Sequence, residues 1–294
     1  MPYNKTKWGG ERAIPAMPAA ALNNIEDALE LGYHVLTVGA CAQMMEIFGD
    51  VVAFWPFFEN ARNRAQDFGP NGYHLYTDIG AAEDLDAWDT APELQGVMRA
   101  YVFNGTDEYL MALDQDLFTV VATNAFSMGM WVKMTTAADN CFLSKWDETN
   151  LAEAREWLFC TDNTGYITMI LYDETNTAQI GREYQTALGT EGWHYIVGVY
   201  DGGTDAANIA IYLDGLKVDD ADVADDAGFA SMVNQATPVR CGSYEDAAGD
   251  EEYLFDGRGW GPFFTRKELS ADEVWNLYQL GRAVLHLPLS AGMP

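Results

Sequence analysis

GWHYIVGVYDGGTDAANIAIYLDGLKV, residues 192–218, alternates with a period of two. Trp193, Tyr195, Val197 and Val199 fall on one side of an extended chain, and His194, Ile196, Gly198 and Tyr200 on the other. This is the periodicity of a β-strand with one bulky and one mixed face. After Asp201-Gly202-Gly203, a second alternation sets Ile209, Ile211 and Leu213 on one side. Asp214-Gly215 then supplies the pair of residues tolerant of positive φ that a tight hairpin turn needs, and the chain returns at Leu216. An isolated hairpin is marginal in water, so this one predicts a larger sheet packed on a partner.

The composition agrees. A chain of 294 residues, 49% apolar and 13% aromatic, has the material for a sizeable core. All-β sandwiches run past 200 residues as one unit, so one main domain with an extension is expected. The formal charge of -29, from 45 acidic against 16 basic residues, argues against a nucleic-acid groove. It fits a solvated, self-repelling surface, with adaptation to high salt or to a calcium-rich exterior as alternatives. The N-terminal MPYNKTKWGGERAIP has no apolar core of a signal peptide, and no window is apolar enough to span a membrane, so synthesis in the cytoplasm is expected. Cys41, Cys141, Cys160 and Cys241 show no metal-binding spacing. Cys141 and Cys160 are placed to face each other across one hairpin, but buried free thiols are the expectation.

Along the chain, Leu22, Ile25 and Leu29 begin an apolar helical stripe that extends to about residue 47. Strands follow over residues 51–57, ending in a proline, and over residues 73–77, after the turn cluster Asp67-Phe68-Gly69-Pro70-Asn71-Gly72. Residues 79–93 read as an acidic surface loop. Further strands are expected over residues 98–105, 126–134, 141–147, 156–161 and 166–173, and the acidic run 219–226 reads as a solvated edge. Ser270-Ala271-Asp272-Glu273 is a capping box that opens a short helix with Val274, Leu277 and Tyr278 on its apolar side.

Two resemblances build on these residues. VAFWPFFENARNRAQDFGPNGYH (52–74), YVFNGTDEYL (101–110), FSMGMWVK (126–133), FLSKWD (142–147), GWHYIVGVYDG (192–202), IYLDGLKV (211–218) and FDGRGWGPFFTRKELSADEVWNLY (255–278) resemble, in order, the landmarks of laminin-G-like, concanavalin A-like jelly rolls. The resemblance implies an all-β fold of two antiparallel sheets with six or seven strands each, over residues 49–282. The short apolar end of the chain, residues 283–294, reads as a tail that docks on the sandwich or on a neighbour. TKWGGERAIPAMPAAALNNIEDAL (6–29) resembles the N-terminal segment of structural proteins of tailed phages. It implies that residues 1–48 form an assembly arm and helix, with Trp8, Ile14, Leu22, Ile25 and Leu29 as anchors against other virion subunits, capsid or tail. The short Leu22, Ile25, Leu29 stripe hints at a homo-oligomer, as a trimer.

In relatives of the jelly roll, the D-x-x-G-N-G turn and the Asp of the late F-D-G strand meet at a calcium site. Carried over by position, this implicates Asp67, Asn71 and Asp256, with Glu59, against the plainer reading of turn formers bonding locally. Pro70 stands where relatives carry another small residue. The family also contains glycosidases, which need two carboxylates flanking a bond. Glu83-Asp84-Leu85-Asp86 and Asp173-Glu174 are the nearest candidates, and neither lies within an aromatic strand. None of the four histidines lies near a strained Ser or Cys turn. For glycan binding, Trp88, Trp146, Trp157, Trp260 and Tyr244 are conceivable, although core packing is the commoner use of such residues. The expectation is therefore a non-enzymatic virion protein, a capsid decoration or head fibre before a tail fibre, whose jelly roll meets a surface glycan. A free lectin and a glycosidase are the alternatives.

Overall fold

The computed structural model describes residues 35–57, 64–77, 88–89, 100–121, 124–149 and 154–285. Helix α1 (Val35–Phe48) leads into a two-sheet antiparallel jelly-roll sandwich, and helix α2 (Ala271–Val284) follows it. The first sheet contains β1 (Val51–Phe54), β4 (Trp88–Asp89), β5 (Ala100–Asn104), β7 (Phe126–Met134), β12 (His194–Tyr200), β13 (Ile209–Leu213), β14 (Leu216–Lys217) and β19 (Asp256–Thr265). Its order is β14-β13-β12-β7-β19-β5-β4, with β1 paired to the far half of β19. The second contains β2 (Arg64–Ala65), β3 (Leu75–Thr77), β6 (Leu110–Ala112), β8 (Asn140–Lys145), β9 (Trp157–Thr161), β10 (Ile167–Asp173), β11 (Ala178–Tyr184), β15 (Ala221–Asp225) and β16 (Val239–Cys241). Its order is β15-β11-β10-β9-β8-β16-β6-β3-β2. A small hairpin, β17 (Tyr244–Glu245) and β18 (Glu251–Glu252), is separate from both.

The hairpin at residues 192–218 forms as its pattern predicts. Tyr200 pairs with Ile209 and Ile196 with Leu213, and Asp214 and Gly215 turn the chain at φ 52° and 84°. Asp214 also fixes the turn through its side chain, which accepts from the Tyr195 N–H at 2.8 Å. The mixed face is the one that meets the second sheet: a Cβ on Gly198 would sit 2.5 Å from Met169 Sδ. On the inner faces Phe264 stacks on Phe126 at 5.1 Å and packs on Trp157 at 5.2 Å and Phe118 at 5.6 Å.

The bulky face points outward and is covered by helix. Trp131, beside Tyr195, stacks on Tyr278 of α2 at 5.5 Å, and Phe48 of α1 stacks on Phe263 at 4.3 Å. Gly281 permits the first contact, since a Cβ there would lie 2.2 Å from the Trp131 indole nitrogen. The expected capping box opens α2: Ser270 and Glu273 each accept from the other's backbone N–H, at 3.3 and 3.0 Å.

Several expectations need correction. The sheets hold eight and nine strands among the described residues, not six or seven, in part because β2 and β4 are pairs of residues too short to leave a periodicity. The segment read as a loop over 79–93 contributes β4, which pairs with β5. The acidic run at 219–226 is an edge, as expected, and forms β15 against β11. All four cysteines are buried free thiols, with Cys141 directly opposite Cys160 on adjacent strands. The proposed arm, with Trp8, Ile14, Leu22, Ile25 and Leu29, lies outside the described residues, as does the tail beyond Leu285.

One buried ion pair holds two loops against the second sheet. Lys145 Nζ donates to Glu156 Oε1 and to the Gln235 carbonyl, and it lies 3.0 Å from Asp114. Glu156 Oε1 also accepts from Thr119 Oγ1 at 3.1 Å and the Gln235 N–H at 2.9 Å. Lys145 and Glu156 are both fully buried, and breaking such a pair leaves an uncompensated charge. Lys145→Met should therefore lower stability by about 3–5 kcal/mol in urea unfolding, and adding Glu156→Leu should recover much of the loss. Equal midpoints for wild type and Lys145→Met would refute the anchoring role.

Candidate functional site

The turn singled out for calcium is built for a different task. Asp67 is buried, and its Oδ1 accepts from the N–H groups of Phe54 at 3.0 Å and Gly69 at 2.6 Å, while Oδ2 accepts from Tyr73 at 2.9 Å. Asn71 Nδ2 donates to the Val52 carbonyl at 2.8 Å. Together these bonds tie the turn to β1. Asp256 opens β19 opposite Asn104, and its N–H donates to Asn140 Oδ1 at 2.9 Å. Glu59 lies outside the described residues.

A carboxylate ringed by N–H donors presents the wrong dipoles to a cation, which needs converging oxygens. Among the described residues no group of three or more His, Cys, Asp or Glu is arranged to hold a metal ion. Asp67 as placed does not fit calcium, and its bonds to Gly69 and Tyr73 are those of the plainer, local-turn reading.

The candidate acids are likewise engaged. The Asp173 carboxylate accepts from Asn176, Ala230 and Ser231; burial opposes its ionisation, but these bonds outweigh it and hold the carboxyl below its ordinary range. Glu174 grips the Arg155 guanidinium through both oxygens, at 2.7 and 3.2 Å. The run Glu83 to Asp86 lies outside the described residues.

The informative surface is the outer face of the nine-stranded sheet. A strand's residues alternate between faces, and here the inward set Trp157, Phe159, Met169 and Leu171 belongs to the main core. The outward set on such a sheet is ordinarily polar. Instead Cys141, Trp146, Leu158, Cys160 and Tyr172 form a second apolar cluster, with half-exposed Ile170, Tyr244 and Tyr253 at its rim. Trp146 meets Tyr172 edge-on at 5.7 Å, and Tyr244 meets Tyr253 edge-on at 5.3 Å. The Arg155 guanidinium lies 3.9 Å over the Tyr172 ring. Trp146 Nε1 donates to Glu148 Oε1 at 2.7 Å.

The hairpin β17–β18 is fastened beside this cluster by Arg240. This residue, on the outer side of β16, pairs with Glu245 and, at 3.1 Å, with Glu251. Burial pushes the Glu251 carboxyl up, and Arg240 draws it back. Of the aromatics named from sequence, Trp146 and Tyr244 thus meet on one face, whereas Trp157 and Trp260 fill the core. The Trp88 side chain is outside the description. Sequence reasoning missed Tyr253, Tyr172, Arg155 and Arg240; the pattern Leu158, Cys160, Ile170, Tyr172 at every second position was the available signal.

Asp67 offers a direct test of this geometry. Burial pushes its carboxyl up to about 6, although the bonds from Phe54, Gly69 and Tyr73 pull it down. A folded-state value above the unfolded one means that the folded state holds the proton more tightly, so stability falls as pH rises from about 4 to about 6 and is level above. The Phe54, Gly69 and Tyr73 amide resonances should titrate together with a midpoint near 6, and Asp67→Asn should abolish that titration and destabilise the fold by about 1–3 kcal/mol. Amide shifts that stay flat between pH 4.5 and 7.5 would contradict it.

Comparison with known proteins extends the picture. The family model described as the concanavalin A-like lectin/glucanases superfamily matches residues 104–274. Among curated proteins none matches. The solved binding domain of Paraclostridial mosquitocidal protein 1 is similar at a TM-score of 0.56 and 10% identity, over 79% of this chain and 52% of that one. The botulinum neurotoxin serotype G binding domain gives 0.54 and 14%, over 79% and 51%. The serotype D ligand-binding domain, solved in complex with N-acetylneuraminic acid, gives 0.52 and 15%, over 80% and 52%. This chain spans about half the length of these solved domains, and the likeness is one of fold. The family match extends over more than half of the chain, from the end of β5 into helix α2: the chain belongs to the concanavalin A-like lectin/glucanases superfamily.

Proposed function

We propose that this chain is a non-enzymatic, saccharide-binding protein displayed on the surface of a tailed virus, with the outer face of the nine-stranded sheet as its ligand platform. The observation that carries the binding role is the second apolar cluster, whose rim leaves Tyr244, Tyr253 and Ile170 half-exposed where polar residues belong. A sugar ring needs an apolar plate for its C–H face and fixed hydrogen-bonding groups around it for its hydroxyls. The tyrosine pair supplies the plate; Glu148, Glu174 and Arg155, held by ion pairs and hydrogen bonds, supply the surround. One solved relative in fold was captured with a saccharide, which is consistent with this use of the architecture.

The non-enzymatic reading is supported by the engagement of Asp173 and Glu174, neither of which is free to serve as acid or nucleophile. The virion reading rests on the resemblance of residues 6–29 to phage structural proteins. A capsid decoration or head fibre is the form proposed, and the strongly negative charge discourages contact with packaged DNA. Binding is best measured both with calcium and with chelator.

The full chain on a glycan array should show saturable binding without hydrolysis. Tyr244→Ala with Tyr253→Ala should weaken it at least tenfold, about 1.4 kcal/mol, with the circular dichroism spectrum unchanged. Deleting residues 6–29 should remove the protein from assembled particles and leave saccharide affinity intact. Hydrolysis of a bound polysaccharide, or binding indifferent to both tyrosines, would overturn the proposal.

A further inference from the structure

The same face continues beyond the β17–β18 hairpin, and the register of five strands places a second set of residues in line. Ser144 lies opposite Arg240, Arg240 opposite Met111, Met111 opposite Tyr76, and Tyr76 opposite Arg64. Directly opposed residues of antiparallel strands share a face. Their neighbours Val239, Cys241, Leu110, Ala112, Leu75 and Ala65 belong to the core, so this row faces outward. Arg64, Tyr76 and Met111 are half-exposed, whereas Arg240 is buried at the inner end beside the hairpin. At a strand spacing of about 4.8 Å, the two arginines stand about 14 Å apart, with Tyr76 and Met111 as the floor between them.

The charges of this row differ from those of the rest of the chain. With 16 basic residues against 45 acidic ones, the half-exposed guanidinium of Arg64 makes a local exception to a surface that repels anions. Arg240 is neutralised by Glu245 and Glu251, and its Nη1, buried, has no partner among the described residues. Arg64 makes no ion pair among the described residues. Its charge is nevertheless felt: burial first, and then Arg64, hold neighbouring His74 below its ordinary range.

We propose that this open half of the face, with Arg64 as the clamp and Tyr76 and Met111 as the floor, takes a saccharide bearing a carboxylate. The inference deepens the saccharide-binding reading and rests on it. A guanidinium fork matches a carboxylate in a plane with two parallel hydrogen bonds, which a hydroxyl cannot reproduce. Tyr76 offers its ring to the C–H face of the same sugar. Arg240, buried and fixed by its two glutamates, bounds the site at the inner end. Specificity follows from the field: an anionic sugar is repelled by most of this surface and gains only where Arg64 meets it.

The test uses the full chain and two matched pairs of probes, 3′-sialyllactose against lactose and digalacturonic acid against galactobiose, followed by calorimetry and by amide shifts. At least one acidic probe should bind ten or more times tighter than its neutral partner, and the preference should shrink in high salt. Arg64→Gln should bring each pair within about twofold, and Tyr76→Ala should weaken acidic and neutral probes alike. Equal affinities for acidic and neutral probes, or a preference that survives Arg64→Gln, would overturn the inference. If neutral saccharides still bind in a manner dependent on Tyr244 and Tyr253, only this inference falls; if no saccharide binds at all, the broader proposal falls with it.

Discussion

Phe264 packs face to face with Phe126 and against Trp157 and Phe118, and this contact couples the two sheets. Buried aromatics of this size dominate the energetics of a sandwich core, each contributing about 1.5–3 kcal/mol by burial. Each sheet can offer only one face to such a core. The other face needs its own solution, and the two sheets solve it differently. The eight-stranded sheet lays Trp131 and Phe263 under helices α2 and α1. The nine-stranded sheet has no helix over it among the described residues, and covers its outer apolar cluster with a small hairpin and ion-paired side chains.

That difference underlies the proposed placement of the binding face. A helix-covered face is closed by its own packing, whereas the opposite face keeps aromatic and guanidinium groups in partial contact with solvent. Arg240 is central to this second arrangement: it fastens the hairpin that separates the Tyr244–Tyr253 rim from the Arg64–Tyr76–Met111 row. A chain with a formal charge of -29 holds few cations, so where those few are placed is informative about what it meets.

Much of the scaffold was legible before any coordinates. The alternation at residues 192–218, the Asp214-Gly215 turn and the Ser270–Glu273 cap are local patterns, and local patterns survive in a linear sequence. The candidate site was less legible. Tyr76, Met111 and Arg240 sit in strands of three residues, and Arg64 in one of two, so no periodicity announced their shared face; only the pairing register aligned them. Trp146 and Tyr244 were visible as candidates, but their meeting required the hairpin to fold back over β8. Asp67 failed in the opposite sense. Its spacing matched a ligand pattern, yet spacing does not report that its oxygens point at backbone N–H groups.

The central claim is that ligands meet the outer face of the nine-stranded sheet. Methyl labelling of isoleucine and methionine tests it most directly, because Ile170 and Met111 report from that face on either side of the hairpin. Met128, Met130 and Met169 report from the core, and Met44 and Met45 from beneath α1. On titration with a binding saccharide, the account predicts shifts at Ile170 or Met111 and constancy at the core methionines. Shifts confined to Met44 and Met45, with Ile170 and Met111 unmoved, would place the ligand on the helix-covered side and contradict it.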